Sequence, residues 1–125
     1  MQKKRPKYLN LIKIKLPLPG VVSIGHRVSG VLLFFPGIPL LLYGLHLMLG
    51  TPQSFDLLKA VFSNAFVKLV LLGGIWLLMH HFCAGLRYLA LDLHWGIALK
   101  QARASSYAVL AGGAVLTGII GVLIW

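Results

Sequence analysis

Three long apolar stretches, separated by short polar segments, set the plan of the chain. Between Val21 and Leu49 the one charged side chain is Arg27; between Ala65 and Leu91 they are Lys68 and Arg87; between Tyr107 and Trp125 there is none. Each stretch is long enough, as a helix, to cross a hydrocarbon core of roughly 30 Å. The pattern predicts an all-α membrane protein with transmembrane helices over 21–49, 65–91 and 107–125. Pro36 and Pro39 lie inside the first span and predict a kink there. Gly113, Thr117 and Gly121 recur every four residues along the third, a small-residue stripe that favours close approach of another helix over contact with lipid.

The segments between the spans are expected to be loops. Residues 50–64 carry Pro52, Asp56 and Lys59, and residues 92–106 carry Lys100 and Arg103. Residues 1–20 are basic and punctuated by Pro6, Pro17 and Pro19. Leu11–Leu16 alternates enough to pass for a short strand, which Pro17 and Pro19 would end. An extended arm at the cytoplasmic surface is expected.

Composition agrees with membrane insertion. Hydrophobic residues make up 58% of the 125 and charged residues 11%, against roughly 25% charged in soluble domains. The mean hydropathy is +0.87. The formal net charge is +10, with Asp56 and Asp92 the only acids. The bases cluster at the ends of apolar segments, so they report topology rather than a nucleic-acid partner. The N-terminal arm and the second loop hold most of them, which predicts a cytoplasmic N-terminus and a periplasmic C-terminus. Cys83 is the only cysteine, so neither an internal disulfide nor a covalent Cys-x-x-Cys-His haem attachment is possible. The basic N-terminus lacks a short apolar run with a cleavage site, so no signal peptide is expected, and a bacterial chain is expected over an organellar precursor. So small a chain, nearly all of it span, is expected to work with partners.

Two polar clusters stand against this apolar background. Leu77–Asp92 closes the second span, and on a helix His81, Gly85, Tyr88 and Asp92 share one face. An ionisable group at membrane depth is costly and calls for a function. An imidazole can ligate a haem iron, and a glycine one turn away leaves room for a flat porphyrin. His80 precedes His81 and points about 100° away on a helix, so only one of the tandem pair can serve a given face; packing histidines are the plain alternative for both. Arg87 can pair with Asp92, pair with a ligand carboxylate, or mark the inner boundary. His46, at the far end of the first span, reads as an interfacial or packing residue. Ser23–Gly30 opens the first span and places Ser23, His26, Arg27 and Gly30 on one broad face. A hydroxyl, an imidazole and a guanidinium there suit a quinone carbonyl or a haem propionate, or else form an interfacial cap.

These residues resemble the cytochrome b membrane-anchor subunit of bacterial succinate dehydrogenase, the one usually designated C. The resemblance rests on Arg5-Pro6 followed at the family's spacing by Ser23-x-x-His26-Arg27-x-Ser29-Gly30, and on His81-x-x-x-Gly85-Leu86-Arg87 with Asp92 five residues on. It covers essentially the whole chain. It implies a helical bundle shared with a companion hydrophobic anchor subunit, with haem b between the two and His81 as an axial iron ligand. It implies that Ser23 and Arg27 line the ubiquinone pocket, and that His26 and Arg27 lie near the haem propionates. It implies an iron–sulfur subunit and a flavoprotein subunit as further partners, the bacterial inner membrane as location, and no succinate chemistry in this chain. The sequence departs from the family at Lys7, Tyr88, Leu91 and His94, the last standing where a small residue is common. Two other readings fit the same architecture: a fumarate reductase anchor working with menaquinol, and a small non-redox membrane protein such as a holin-like pore former or an assembly factor.

Overall fold

A computed structural model gives the fold of residues 14–125. The arm before residue 14, with the Arg5-Pro6 pair and Lys7, lies outside the described residues. Helix α1 runs Leu18–Leu32 from Pro17, whose backbone is extended at the N-cap. Pro19 sits in the first turn, where a missing N–H costs nothing. The two prolines that end the arm therefore also start the helix, earlier than Val21. A π-helical turn follows at Leu33–Gly37 and then α2 at Ile38–Leu49. Pro36 has no N–H to give, and its ring crowds the carbonyl one turn back. The turn widens instead, and the Ile38 N–H donates to the Leu33 carbonyl, five residues back. The expected kink is thus a local widening inside one helical run, Leu18–Leu49.

The first connection is not a plain loop. Pro52–Ser63 forms helix α3, capped by Thr51, which accepts from the Ser54 N–H while the Ser54 hydroxyl accepts from the Thr51 N–H. Asp56 and Lys59 pair at 2.8 Å on its exposed side. Asn64 separates α3 from α4 (Ala65–Asp92), and its Oδ1 accepts from the Phe66 and Val67 N–H groups. Helix α5 covers Leu99–Ile124, so Lys100 and Arg103 lie on its first turns rather than in a loop. The α4–α5 turn closes on a left-handed residue. His94 has φ 62°, its N–H reaches the Leu91 carbonyl at 2.9 Å, and the Trp95 N–H reaches Ala90 at 2.9 Å. These two bonds form a Schellman cap, a position that favours glycine.

Helices α1, α4 and α5 pack together around Val22, Ala84 and Val109, with Cys83 and Leu110 against them. Ser106, Val109, Gly113 and Thr117 are the buried line of α5. The small-residue stripe faces α4: a Cβ on Gly113 would lie 3.3 Å from the His80 Cα, and one on Gly121 would lie 2.9 Å from a Leu72 methyl. The Thr117 hydroxyl donates to the Gly113 carbonyl at 2.7 Å, which hides its polarity within the helix. At the opposite end of the pair, the Lys68 ammonium lies 4.9 Å from the Trp125 ring centre. Most large apolar side chains, among them Phe34, Phe35, Leu40, Leu41, Val122 and Leu123, point outward. Three helices are long and apolar enough to cross a membrane, and the protein is a multi-pass membrane protein.

A non-glycine residue in the left-handed region costs about 1–2 kcal/mol. His94→Gly is expected to recover about 1 kcal/mol of this, less the entropy glycine adds to the unfolded chain. Thermal unfolding of the purified protein in detergent should show a raised midpoint.

Candidate functional site

The polar clusters meet where α1 crosses α4. The His26 and His81 rings stack with centroids 4.1 Å apart and planes 15° off parallel, and His26 lies 5.2 Å from the Tyr88 ring. The approach is close because Gly30 faces His81: a Cβ there would stand 3.0 Å from the His81 Cε1. Beside Gly85 there is more room: among the described residues a Cβ would meet just the His26 Nε2, at 3.8 Å.

The hydrogen bonds fix the state of His81. The Ser29 hydroxyl donates to the His26 carbonyl at 2.9 Å. The His81 Nδ1 lies 3.0 Å from the Ser29 Oγ and 3.1 Å from the same carbonyl. A carbonyl only accepts, and the single Ser29 hydrogen is already committed to it. Nδ1 therefore carries the proton and donates to both oxygens. In the neutral ring this tautomer puts the lone pair on Nε2, the nitrogen that can bind a metal. Ser29 itself is fully buried.

His80 has the opposite surroundings. It is 3% exposed and wedged among α1, α4 and α5, with its Nε2 2.8 Å from where a Gly25 Cβ would be. Its ring stacks on Trp76 at 5.5 Å. Neither ring nitrogen has a hydrogen-bond partner among the described residues. The packing separates the tandem pair: His80 is enclosed by protein, whereas His81 and Gly85 are half-buried beside the His26 ring.

The Ser23–Gly30 face is divided by the fold. His26, Ser29 and Gly30 turn toward α4, whereas Arg27 is exposed, on an outward surface with Val28, Val31 and Leu32. Ser23 is half-buried one turn earlier. Within this chain Arg27 does not meet the His26–His81 pair. Arg87 does not pair with Asp92. It is buried, its Nε donates to the Ser105 Oγ at 2.9 Å, and its guanidinium lies 5.6 Å from the Tyr88 ring centre, while Asp92 is exposed. Arg87 thus fastens α4 to α5. His46 is exposed near the end of α2. Ser29 stands in the sequence motif without a role of its own; its position three residues after His26, on the same side of the helix, was the available signal.

Comparison with known proteins agrees with this architecture. Residues 1–120 match the family of succinate dehydrogenase/fumarate reductase transmembrane subunits, and the chain belongs to that family. It is 35% identical to the succinate dehydrogenase cytochrome b556 subunit of Coxiella burnetii, over 100% of both chains. It is 35% identical to the subunit of the same name from Paracoccus denitrificans, over 90% of this chain and 85% of that one. The corresponding subunit of Rickettsia felis is 29% identical over 95% of this chain and 92% of its own length. The membrane-anchor role expected from the two motifs is supported by these relatives, and membership of the family leaves no ground for the pore-former or assembly-factor reading.

Gly25→Ala is expected to destabilise the protein by about 1–3 kcal/mol, because its methyl collides with a ring that has nowhere to move. In a His80→Ala background the same substitution should cost clearly less. A double-mutant cycle on thermal stability measures the difference.

Proposed function

We propose that this chain is the cytochrome b anchor of a bacterial succinate dehydrogenase, that it holds haem b with a companion anchor subunit, and that it helps form the site where ubiquinone is reduced. The observation that carries the reading is His81: its ring is fixed by Nδ1–H bonds to α1, its Nε2 is left as a ligand, and Gly85 one turn on adds no side chain to the surface beside it. The donor set therefore fits a haem. His81 would supply one axial ligand, and His26 and Arg27 would face the propionates. A bound haem supplies a one-electron centre within the membrane. The second axial ligand would come from the companion subunit, consistent with the large apolar surface this chain leaves uncovered.

Ser23 and Arg27 are the residues proposed for quinone. Arg27 is always charged and exposed near the start of the span, and its five donors have no partner among the described residues, which suits an acceptor brought against α1. Ser23 offers a hydroxyl on the same side of the helix. Together they would hydrogen-bond the quinone oxygens and stabilise the negative charge that builds there during reduction. Electrons would arrive from an iron–sulfur subunit, itself fed by a flavoprotein where succinate is oxidised. The basic N-terminal arm is placed in the cytoplasm and the C-terminus in the periplasm, across the inner membrane. The family also includes fumarate reductase anchors, and the quinone that supports turnover distinguishes the two directions.

Reduced-minus-oxidised spectra of the complex purified through this subunit should show a b-type α-band that His81→Leu abolishes or shifts. A band untouched by that change would exclude His81 as the ligand. Ser23→Ala and Arg27→Leu should each lower succinate–quinone reduction, on the order of a hundredfold for a donor aimed at developing charge. Succinate oxidation by an artificial dye should persist, and equal loss of both activities would overturn the quinone assignment.

A further inference from the structure

We propose that Ser29 is a positioning residue for the His81 imidazole, and that with the His26 carbonyl it sets the ring's rotation and electron-donating strength. The inference rests on the haem reading above and extends it to a residue that touches neither iron nor quinone.

The geometry is specific. The Nδ1–H of His81 is shared between the Ser29 Oγ at 3.0 Å and the His26 carbonyl at 3.1 Å, and these two acceptors are themselves joined by the 2.9 Å Ser29–His26 bond. The three atoms form a closed triangle, two corners on α1 and the third the Nδ1 of the α4 ring. Two acceptors on one N–H restrict rotation about the Cβ–Cγ bond more than one does. The stacked His26 ring on one side and the missing Gly30 side chain on the other define the slot. Ser29 is buried with no exposed surface, so no water stands ready to replace its hydroxyl.

The electronic consequence has a definite sign. An acceptor on Nδ1–H draws the proton away from the ring and raises the electron density at Nε2. A more basic Nε2 favours ferric over ferrous iron. Removing one acceptor should therefore make the haem easier to reduce. It should also loosen the ring, which changes the anisotropy of a low-spin ferric haem.

The test uses the complete complex, purified with wild-type chain, Ser29→Ala, Ser29→Cys and Ser29→Thr, each followed by redox titration of the haem α-band and by electron paramagnetic resonance. The expected result is that Ser29→Ala retains the band, moves the midpoint potential upward by an amount equal to a severalfold change in the ferric-to-ferrous ratio, and shifts the ferric resonance. Ser29→Thr, which keeps the hydroxyl, should return both toward wild type. Ser29→Cys, similar in size but a poorer acceptor, should shift in the same direction as alanine, and serves should alanine not assemble. A Ser29→Ala or Ser29→Cys complex with wild-type potential and resonance overturns the positioning role while leaving the haem reading intact. A wild-type complex without a b-type band overturns both.

Discussion

Helix α1 lies close enough to α4 that two neighbouring imidazoles of α4 press against its backbone, and the functional half of the molecule depends on that approach. Gly25 and Gly30 make it possible, since a Cβ at either would fall 2.8 Å from the His80 Nε2 or 3.0 Å from the His81 Cε1. The same contact has opposite consequences for the two rings. His80 is enclosed and serves as a polar wedge between three helices. His81 is gripped on one nitrogen and left available on the other. A lipid medium provides no hydrophobic drive to bring helices together; close packing at small residues does so here, and the site is a product of that packing.

The two halves of the bundle are built differently. The buried side chains lie along α1, the second half of α4 and the facing stretch of α5 from Ser106 to Thr117, the part that contains His26, His81 and Arg87. Helix α2 buries no residue. The π turn at Leu33–Gly37 marks the change between them. The uncovered apolar surface along α1, α2 and α4 has two solvents open to it, lipid and the companion subunit that the proposed function requires.

Arg87 is a motif residue that ties the frame together. It lies two residues beyond Gly85, at the level where a propionate-binding role is natural to expect. Its Nε is bonded to Ser105 and its guanidinium packs near Tyr88. An arginine so buried needs its donors satisfied, and α5 supplies that by beginning at Leu99 instead of Tyr107. The early start of α5, the cap at His94 and the Arg87 bond are thus one local solution for joining two antiparallel spans.

The spans, their order and the face carrying His81 and Gly85 were legible in the sequence, because hydropathy and helical spacing are local properties that any helix expresses. Helix α3 was not, since its Thr51–Ser54 cap and modest apolar side resemble a polar connection until it packs against its neighbours. The division of His80 from His81, the turning of His26 inward and Arg27 outward, and the grip of Ser29 on Nδ1 were decided by tertiary structure alone. Adjacent residues on a helix point about 100° apart, and which direction is inside exists only once a second helix has been laid against the first.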